Sequence, residues 1–453
     1  MEKLSAESRI DLLFDRDTAA YDYGSDNSVL TGTGEINGVD VAFFVQDFSV
    51  KGGSITKEGG RFALEAMQNA LEHKLPFIAV YDSGGARLED GVHSLYGVTD
   101  ILKGHAALAG KIPQIALVLG PCAGGSAYGP NMCDFVFMVN SISQMFVTGP
   151  NVIKRATGET ATLDELGGAL IHSKKTGNCH FLCGTEKECF DKVRQLLNLI
   201  TQKKKASSDQ MRLIDPHVPQ DPKQQYDIHQ LILELADDHY FMELQKDYAP
   251  NLICGIARIG GYSCGILADQ PSFMAGTLDV HGSEKAARFV KTIDKLGMPL
   301  IVLTDTPGFL PGKDQEHHNL LSKGAALFRA FEDANIPVLS FILRKAYGGA
   351  YIVMAAKSVG KRFCYMWEDA QIGVMQGDAA IEVLYRKELL LHPDDAVLRE
   401  RFKEEYMSEL PDMESLLEAG YIDEVIRPSE TRNTIIDRLR KLDTPPEYSK
   451  SLS

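Results

Sequence analysis

One phrase occurs twice in this 453-residue chain, and its spacing constrains the fold more than any other feature. IPQIALVLGPCAGGSAYGP begins at Ile112, and IPVLSFILRKAYGGAYIVM begins at Ile336, an offset of 224 residues. At that offset Ile112, Pro113, Leu119, Gly124 and Gly125 match Ile336, Pro337, Leu343, Gly348 and Gly349. A second echo lies upstream of each copy, LPFIAVYDSGG at Leu75–Gly85 and MPLIVLTDTPG at Met298–Gly308. Each half thus contains two short apolar runs of strand character, each released into a glycine turn. A chain built this way predicts a duplicated core with paired, backbone-lined sites.

Length agrees with duplication, because a chain of this size divides into two domains of about 200 residues. Residues 1–225 and 226–453 are the expected halves. Lysine-rich QKKKASSDQ (Gln202–Gln210) and proline-rich DPHVPQDPKQQ (Asp215–Gln225) break the pattern between them and read as a linker. An apolar fraction of 44% and a charged fraction of 24% are those of a globular protein. The net charge of -15 argues against a nucleic-acid surface. No apolar run reaches membrane-spanning length, and MEKLSAESRIDLLFD reads as a charged helix, not a leader. The eight cysteines lack paired metal-ligand spacing, and the expectation is reduced thiols in a cytoplasmic protein.

Periodicity predicts a hairpin in Thr31–Ser54, a helix over Glu58–His73 and a strand at Phe77–Tyr81. A helix at Thr99–Ala109 and a strand at Ile115–Leu119 follow. The second half repeats the order: a hairpin in Cys254–Asp269, a helix at Glu284–Leu296 and a strand at Leu300–Thr304. It then continues with a helix at Gly324–Ala334 and a strand at Val338–Leu343. Ala396–Leu417 reads as one charged amphipathic helix, and the tail after Pro445 as frayed. Strands alternating with helices predict parallel βαβ units.

Gly124–Gly125 and Gly349–Ala350 fall where a predicted strand gives way to a helix. Small residues there let a ligand approach the backbone, and the free N–H groups of a helix start can hold a developing negative charge. The plainer alternative is a pair of tight strand-to-helix turns. No nucleophile is set out: Ser83 lacks a G-x-S-x-G context, and Ser126 has no spaced histidine. His317 and His318 are adjacent, which puts them on different helix faces and argues against a metal pair. Arg87, after the first glycine turn, suits either a ligand carboxylate or phosphate, or a structural salt bridge.

The chain resembles the carboxyltransferase (beta) subunits of biotin-dependent acyl-CoA carboxylases, of propionyl-CoA carboxylase beta-chain type, and their decarboxylase relatives. The resemblance spans about Ser8 to Pro428. It rests on QDFSVKGGS (Gln46–Ser54), DSGGAR (Asp82–Arg87), GPCAGGSAY (Gly120–Tyr128), FVTGPNVIKRATGE (Phe146–Glu159), LGGALIHSKKTG (Leu166–Gly177), DTPGFLPGKDQE (Asp305–Glu316) and RKAYGGAYIVM (Arg344–Met354). It implies an α/β fold of two crotonase-like (ClpP/crotonase) ββα-superhelix domains in tandem, in place of a doubly wound sheet.

It further implies transfer of carboxylate between carboxybiotin and the α-carbon of an acyl-CoA, with oxyanion holes at Gly124–Gly125 and Gly349–Ala350. Biotin takes the α-proton in that scheme, which accounts for the missing side-chain base, and no metal is expected. Substrate contacts are expected from Gly84, Gly85, Ala86, Arg87, Tyr128, Gly308, Phe309, Gly348 and Ile352. Ile352 stands where propionyl-selective members carry aspartate, and implies tolerance of short or medium acyl chains. The resemblance also implies a homodimer or hexamer, a biotin carboxyl carrier protein and a biotin carboxylase subunit as partners. EAMQN (Glu65–Asn69) has Gln68 where a biotin-bearing lysine would stand, so the biotin is expected on another protein. The alternative within the same family is a subunit of a sodium-pumping acyl-CoA decarboxylase.

Overall fold

In the computed structural model, residues 3–206 and 211–443 are described. They form two compact units, Met1–Gln202 with Leu244–Tyr248, and Lys203–Glu243 with Ala249–Ser453. The tail after Pro445 and residues 207–210 of the lysine-rich stretch lie outside the described residues.

The strands of the first unit are Ala20–Tyr23, Val29–Ile36, Val39–Gln46, Phe77–Ser83, Gln114–Ala123, Phe135–Val139 and Phe181–Cys183, in that order across one sheet. A short eighth strand, Gln144–Phe146, pairs with the far end of Gln114–Ala123. The first three pair antiparallel and the rest parallel. Phe77–Ser83 opens on a continuous apolar run, Phe77–Tyr81, and is buried along its whole length, as expected of a strand covered on both faces. Val29, Phe44, Met67, Tyr81, Val98 and Val118 belong to one buried cluster on this sheet. Each such side chain, fully buried, stabilises the fold by roughly 1.5–3 kcal/mol.

The second unit repeats this order with Phe241–Leu244, Leu252–Ile259, Tyr262–Asp269, Leu300–Thr306, Val338–Tyr347, Arg362–Trp367 and Glu424–Ile426. Gln371–Gly373 takes the place of the short eighth strand, paired to Val338–Tyr347. The duplication extends to helix ends. Thr56 caps the 17-residue helix Lys57–His73 by accepting from the Gly59 amide, and Asp279 caps the 17-residue Val280–Leu296 through Gly282. Both helices stop at a left-handed residue, Lys74 or Gly297.

Four details differ from the sequence expectation. Ala20–Tyr23 is an edge strand that the sequence periodicity does not mark. The strands Gln114–Ala123 and Val338–Tyr347 run past Leu119 and Leu343. Ala396–Ser408 and Met413–Glu418 are separate helices, because Pro411 cannot continue the first. The proline-rich stretch Asp215–Gln225 packs within the second unit instead of acting as a free linker. The buried Arg344 guanidinium donates to the carbonyls of Pro219, Asp221 and Gln224, and Lys345 to that of Pro222. Composition reads such a stretch as solvated, whereas its carbonyls have found two buried cations.

His229 lies between two carboxylates in the second unit, 2.6 Å from Asp227 and 3.1 Å from Glu243. The bond to Glu243 leads in raising its pKa above the ordinary 6.5, against burial, with Asp227 adding to the rise. A raised imidazole pKa gives stability that is complete below the unfolded value and lost as pH rises through the folded one. Wild-type melting temperature should therefore fall relative to His229→Gln between about pH 6 and 8. Parallel melting curves for the two proteins across that range would contradict the assignment.

Candidate functional site

In the first unit, the parallel strands Phe77–Ser83 and Gln114–Ala123 end side by side, and each releases a glycine turn. Gly124 opens a 3-10 turn, Gly124–Ala127, that runs into the short helix Tyr128–Met132. Its φ is +67°, a conformation that glycine adopts without a Cβ penalty. In the second unit Gly348 has a φ of +56° and opens the helix Gly348–Met354. Neither start has a side-chain cap. The amides of a first helical turn have no partner within the helix, so both turns present backbone donors.

The two turns match in detail. Gly124 and Gly125 correspond to Gly348 and Gly349, so the expected pair Gly349–Ala350 lies one residue further along its helix, with Ser126 as the counterpart of Ala350. Tyr128 corresponds to Ile352, and the two are 51% and 50% exposed. Ile352 is therefore not a core-packing residue, which the expected acyl contact requires. A Cβ placed on Gly124 would meet nothing within 4 Å, whereas one on Gly349 would lie 3.2 Å from the Phe309 ring.

The upstream turns are equally matched. Gly85 (φ +103°) and Gly308 (φ +137°) each donate their amide to the side-chain oxygen two residues earlier, Ser83 or Thr306. The Ile55 amide donates to the Gly85 carbonyl and the Arg87 amide to that of Ile55. Leu278, Gly308 and Leu310 repeat the pattern. Gly84 and Ala86 lie in the first of these loops, and Phe309 takes the position of Ala86 in the second. Arg87 itself is buried, bonded to the Ser54 hydroxyl and carbonyl and 3.6 Å from Asp26, so its guanidinium serves the fold.

Sequence reasoning missed a third pair of elements. Lys51, Gly52 and Gly53 have φ of +49°, +66° and +63°, and Met274, Ala275 and Gly276 have +47°, +53° and +75°. Three left-handed residues in a row strain the non-glycine ones by roughly 1–2 kcal/mol each. The last must be glycine: a Cβ on Gly53 would lie 2.1 Å from the Asp82 carbonyl, and one on Gly276 2.6 Å from that of Asp305. The echo SVKGGS and SFMAGT was the available signal.

His317 and His318 lie on an exposed short helix and the loop after it, and His180 accepts from the Val136 amide. Among the described residues, no group of three or more His, Cys, Asp or Glu side chains could hold a metal. No described helix is long and apolar enough to cross a membrane.

Residues 4–451 match the carboxyl transferase domain family. The propionyl-CoA carboxylase carboxyltransferase subunit of Haloferax mediterranei is 41% identical, over 92% of this chain and 83% of its own. The methylmalonyl-CoA decarboxylase alpha subunit of Propionigenium modestum is 35% identical, over 97% and 90%. A crystal structure of transcarboxylase 12S, with methylmalonyl-coenzyme A and methylmalonic acid bound, superposes with a TM-score of 0.91 at 36% identity. That match covers 98% of this chain and 91% of the other. The fold is a tandem pair of crotonase-like ββα domains. The chain belongs to the carboxyl transferase family and is a carboxyltransferase.

The glycines separate by what surrounds them. Gly53→Ala forces a methyl onto a strand carbonyl and should lower stability by about 1–3 kcal/mol. Gly124→Ala has free space and should cost only its backbone strain, about 1–2 kcal/mol. Denaturant melts of the two variants check the order, and a Gly53→Ala protein as stable as wild type would refute the packing.

Proposed function

We propose that this chain is the carboxyltransferase component of a biotin-dependent acyl-CoA carboxylase, acting on a short or medium acyl chain. The observation that carries this reading is the matched pair of uncapped glycine turns, one in each unit. Carboxyl exchange at the α-carbon of a thioester puts negative charge on the thioester oxygen, and carboxyl release from a ureido nitrogen puts it on the ureido oxygen. Two backbone donor sets suit those two oxygens. The open space above Gly124 fits an approaching ligand oxygen, and biotin, when bound, supplies the carboxyl group and a base for the α-proton. In this reading the first-turn amides at Gly124–Gly125 and at Gly349–Ala350 hold and orient the two oxygens. Half-exposed Ile352 offers an apolar wall to the acyl chain, while Gly84–Arg87, Tyr128, Gly308, Phe309 and Gly348 shape the approaches.

Biotin arrives on a separate carrier protein and is charged by a biotin carboxylase, in keeping with Gln68 in place of a biotin-bearing lysine. Assembly as a homodimer or hexamer is supported by the hexamer named for transcarboxylase 12S. A cytoplasmic location completes the proposal. The decarboxylase relative supports a second reading, the same chemistry run towards carboxylated biotin.

Transfer of labelled carboxyl between carboxybiotin and a panel of acyl-CoA thioesters tests the proposal. Gly349→Val pushes a side chain into the Phe309 ring beside the second turn and should lower kcat by about 100-fold or more. Wild-type protein that binds CoA yet transfers no label to any thioester would refute the reading.

A further inference from the structure

Strand pairing next to both glycine turns contains the same irregularity. Tyr81 pairs with Val118 and Ser83 with Cys122, so Leu119, Gly120 and Pro121 stand opposite Asp82 alone. In the second unit Thr304 pairs with Ile342 and Thr306 with Ala346, so Leu343, Arg344 and Lys345 stand opposite Asp305 alone. Each bulge lies in the strand that runs into the glycine turn, and each faces a buried aspartate. A bulge bends and re-aims the strand that contains it.

Each aspartate is held by two cations, one on each carboxylate oxygen. Lys3 Nζ lies 2.5 Å from Asp82 Oδ1 and Arg9 2.7 Å from Oδ2. Lys345 Nζ lies 2.9 Å from Asp305 Oδ1 and Arg344 2.7 Å from Oδ2. The cations come from different places in the chain. In the second unit they are bulge residues. The corresponding first-unit residues are Gly120 and Pro121, and the charges arrive instead from the N-terminal segment. Gly120 makes this possible, since a Cβ there would lie 2.0 Å from Asp82 Oδ1 and 2.6 Å from Lys3 Nζ. Arg9 is itself anchored to Glu186 and to the Leu119 carbonyl within the bulge. The two halves therefore share the charge arrangement in space while differing in the residues that make it.

Retention of a buried ionic cluster by different residues marks a geometry that matters, because apolar packing of a bulge is the cheaper solution. We propose that Asp82 and Asp305, each with its two cations, are positioning residues that set where the glycine turns at Gly124 and Gly348 present their amides. The inference deepens the carboxyltransferase reading and rests on it for its consequence in catalysis. The role assigned to the six side chains is to position the turns, not to contact the reacting atoms.

Lys3 is the accessible member of the six, with a side chain 29% exposed, so its removal leaves the buried Arg9–Asp82–Glu186 pairings in place. Lys3→Met should fold and lower kcat for label transfer roughly tenfold, with KM for each substrate changed less than about twofold. Lys3→Arg should restore most of kcat. Hydrogen exchange should speed in Lys3→Met at the amides of Gly124–Tyr128 and stay unchanged in the helix Glu186–Thr201. A folded Lys3→Met with wild-type kcat and wild-type exchange overturns the proposal, and so does a Lys3→Met that fails to fold, since the lysine is then structural. A rise in KM alone overturns it as well. Wild-type protein without transfer activity, whose turn nonetheless loosens in Lys3→Met, would sink the carboxyltransferase reading and leave the positioning role standing.

Discussion

A carboxylate buried in a strand irregularity is the constraint around which each half is arranged. Asp82 and Asp305 stand at the ends of central parallel strands, where a lone buried charge would cost several kcal/mol. Burial indeed pushes the Asp82 carboxyl up, despite the two cations beside it. The fold answers with paired cations, and those cations fix other segments in turn. Arg9 ties the first helix to Glu186 and Leu119, and Arg344 gathers the carbonyls of Pro219, Asp221 and Gln224. The amides of the two aspartates are bound as well, by Gln46 in one unit and by Asp269 in the other. Burial pushes the Asp269 carboxyl well up.

In the proposed reading the turns that follow act through backbone, and this decides which residues matter. A left-handed Gly124 or Gly348 starts the helix, and small neighbours keep the approach open. Donors fixed in this way need no reorganisation as charge develops, which is the source of their catalytic effect. Side-chain identity matters at the edges instead, at Tyr128 and Ile352, which occupy equivalent positions and leave about half their surface free.

Much of this was legible in the sequence. The two echoes located the central strands, and the ordered motifs named the fold, which alternation alone would have assigned to a doubly wound sheet. The strand ends were read short at Leu119 and Leu343 because Gly-Pro and Arg-Lys look like turn and surface residues. In the fold they are bulge residues opposite a buried aspartate, and Arg344 and Lys345 pair with theirs. Arg87 was ambiguous in sequence, and its bonds to Ser54 and its neighbour Asp26, far back in the chain, were not marked by spacing. The cations on Asp82 were invisible for a similar reason: Lys3 and Arg9 come from the distant N-terminal segment, Arg9 from the helix Ala6–Leu13, with no fixed spacing to mark them. Local pattern reports turns and faces well, and long-range neutralisation of charge hardly at all.

The central claim is that backbone amides of the two matched turns hold the two oxygens that gain charge. A crystal structure with an acyl-CoA thioester and biotin bound tests it most directly. The account predicts the thioester oxygen within about 3.2 Å of first-turn amides in one unit, and the ureido oxygen within the same reach of those in the other. A complex in which either oxygen is held by a side chain, with the glycine turn unoccupied, would contradict it.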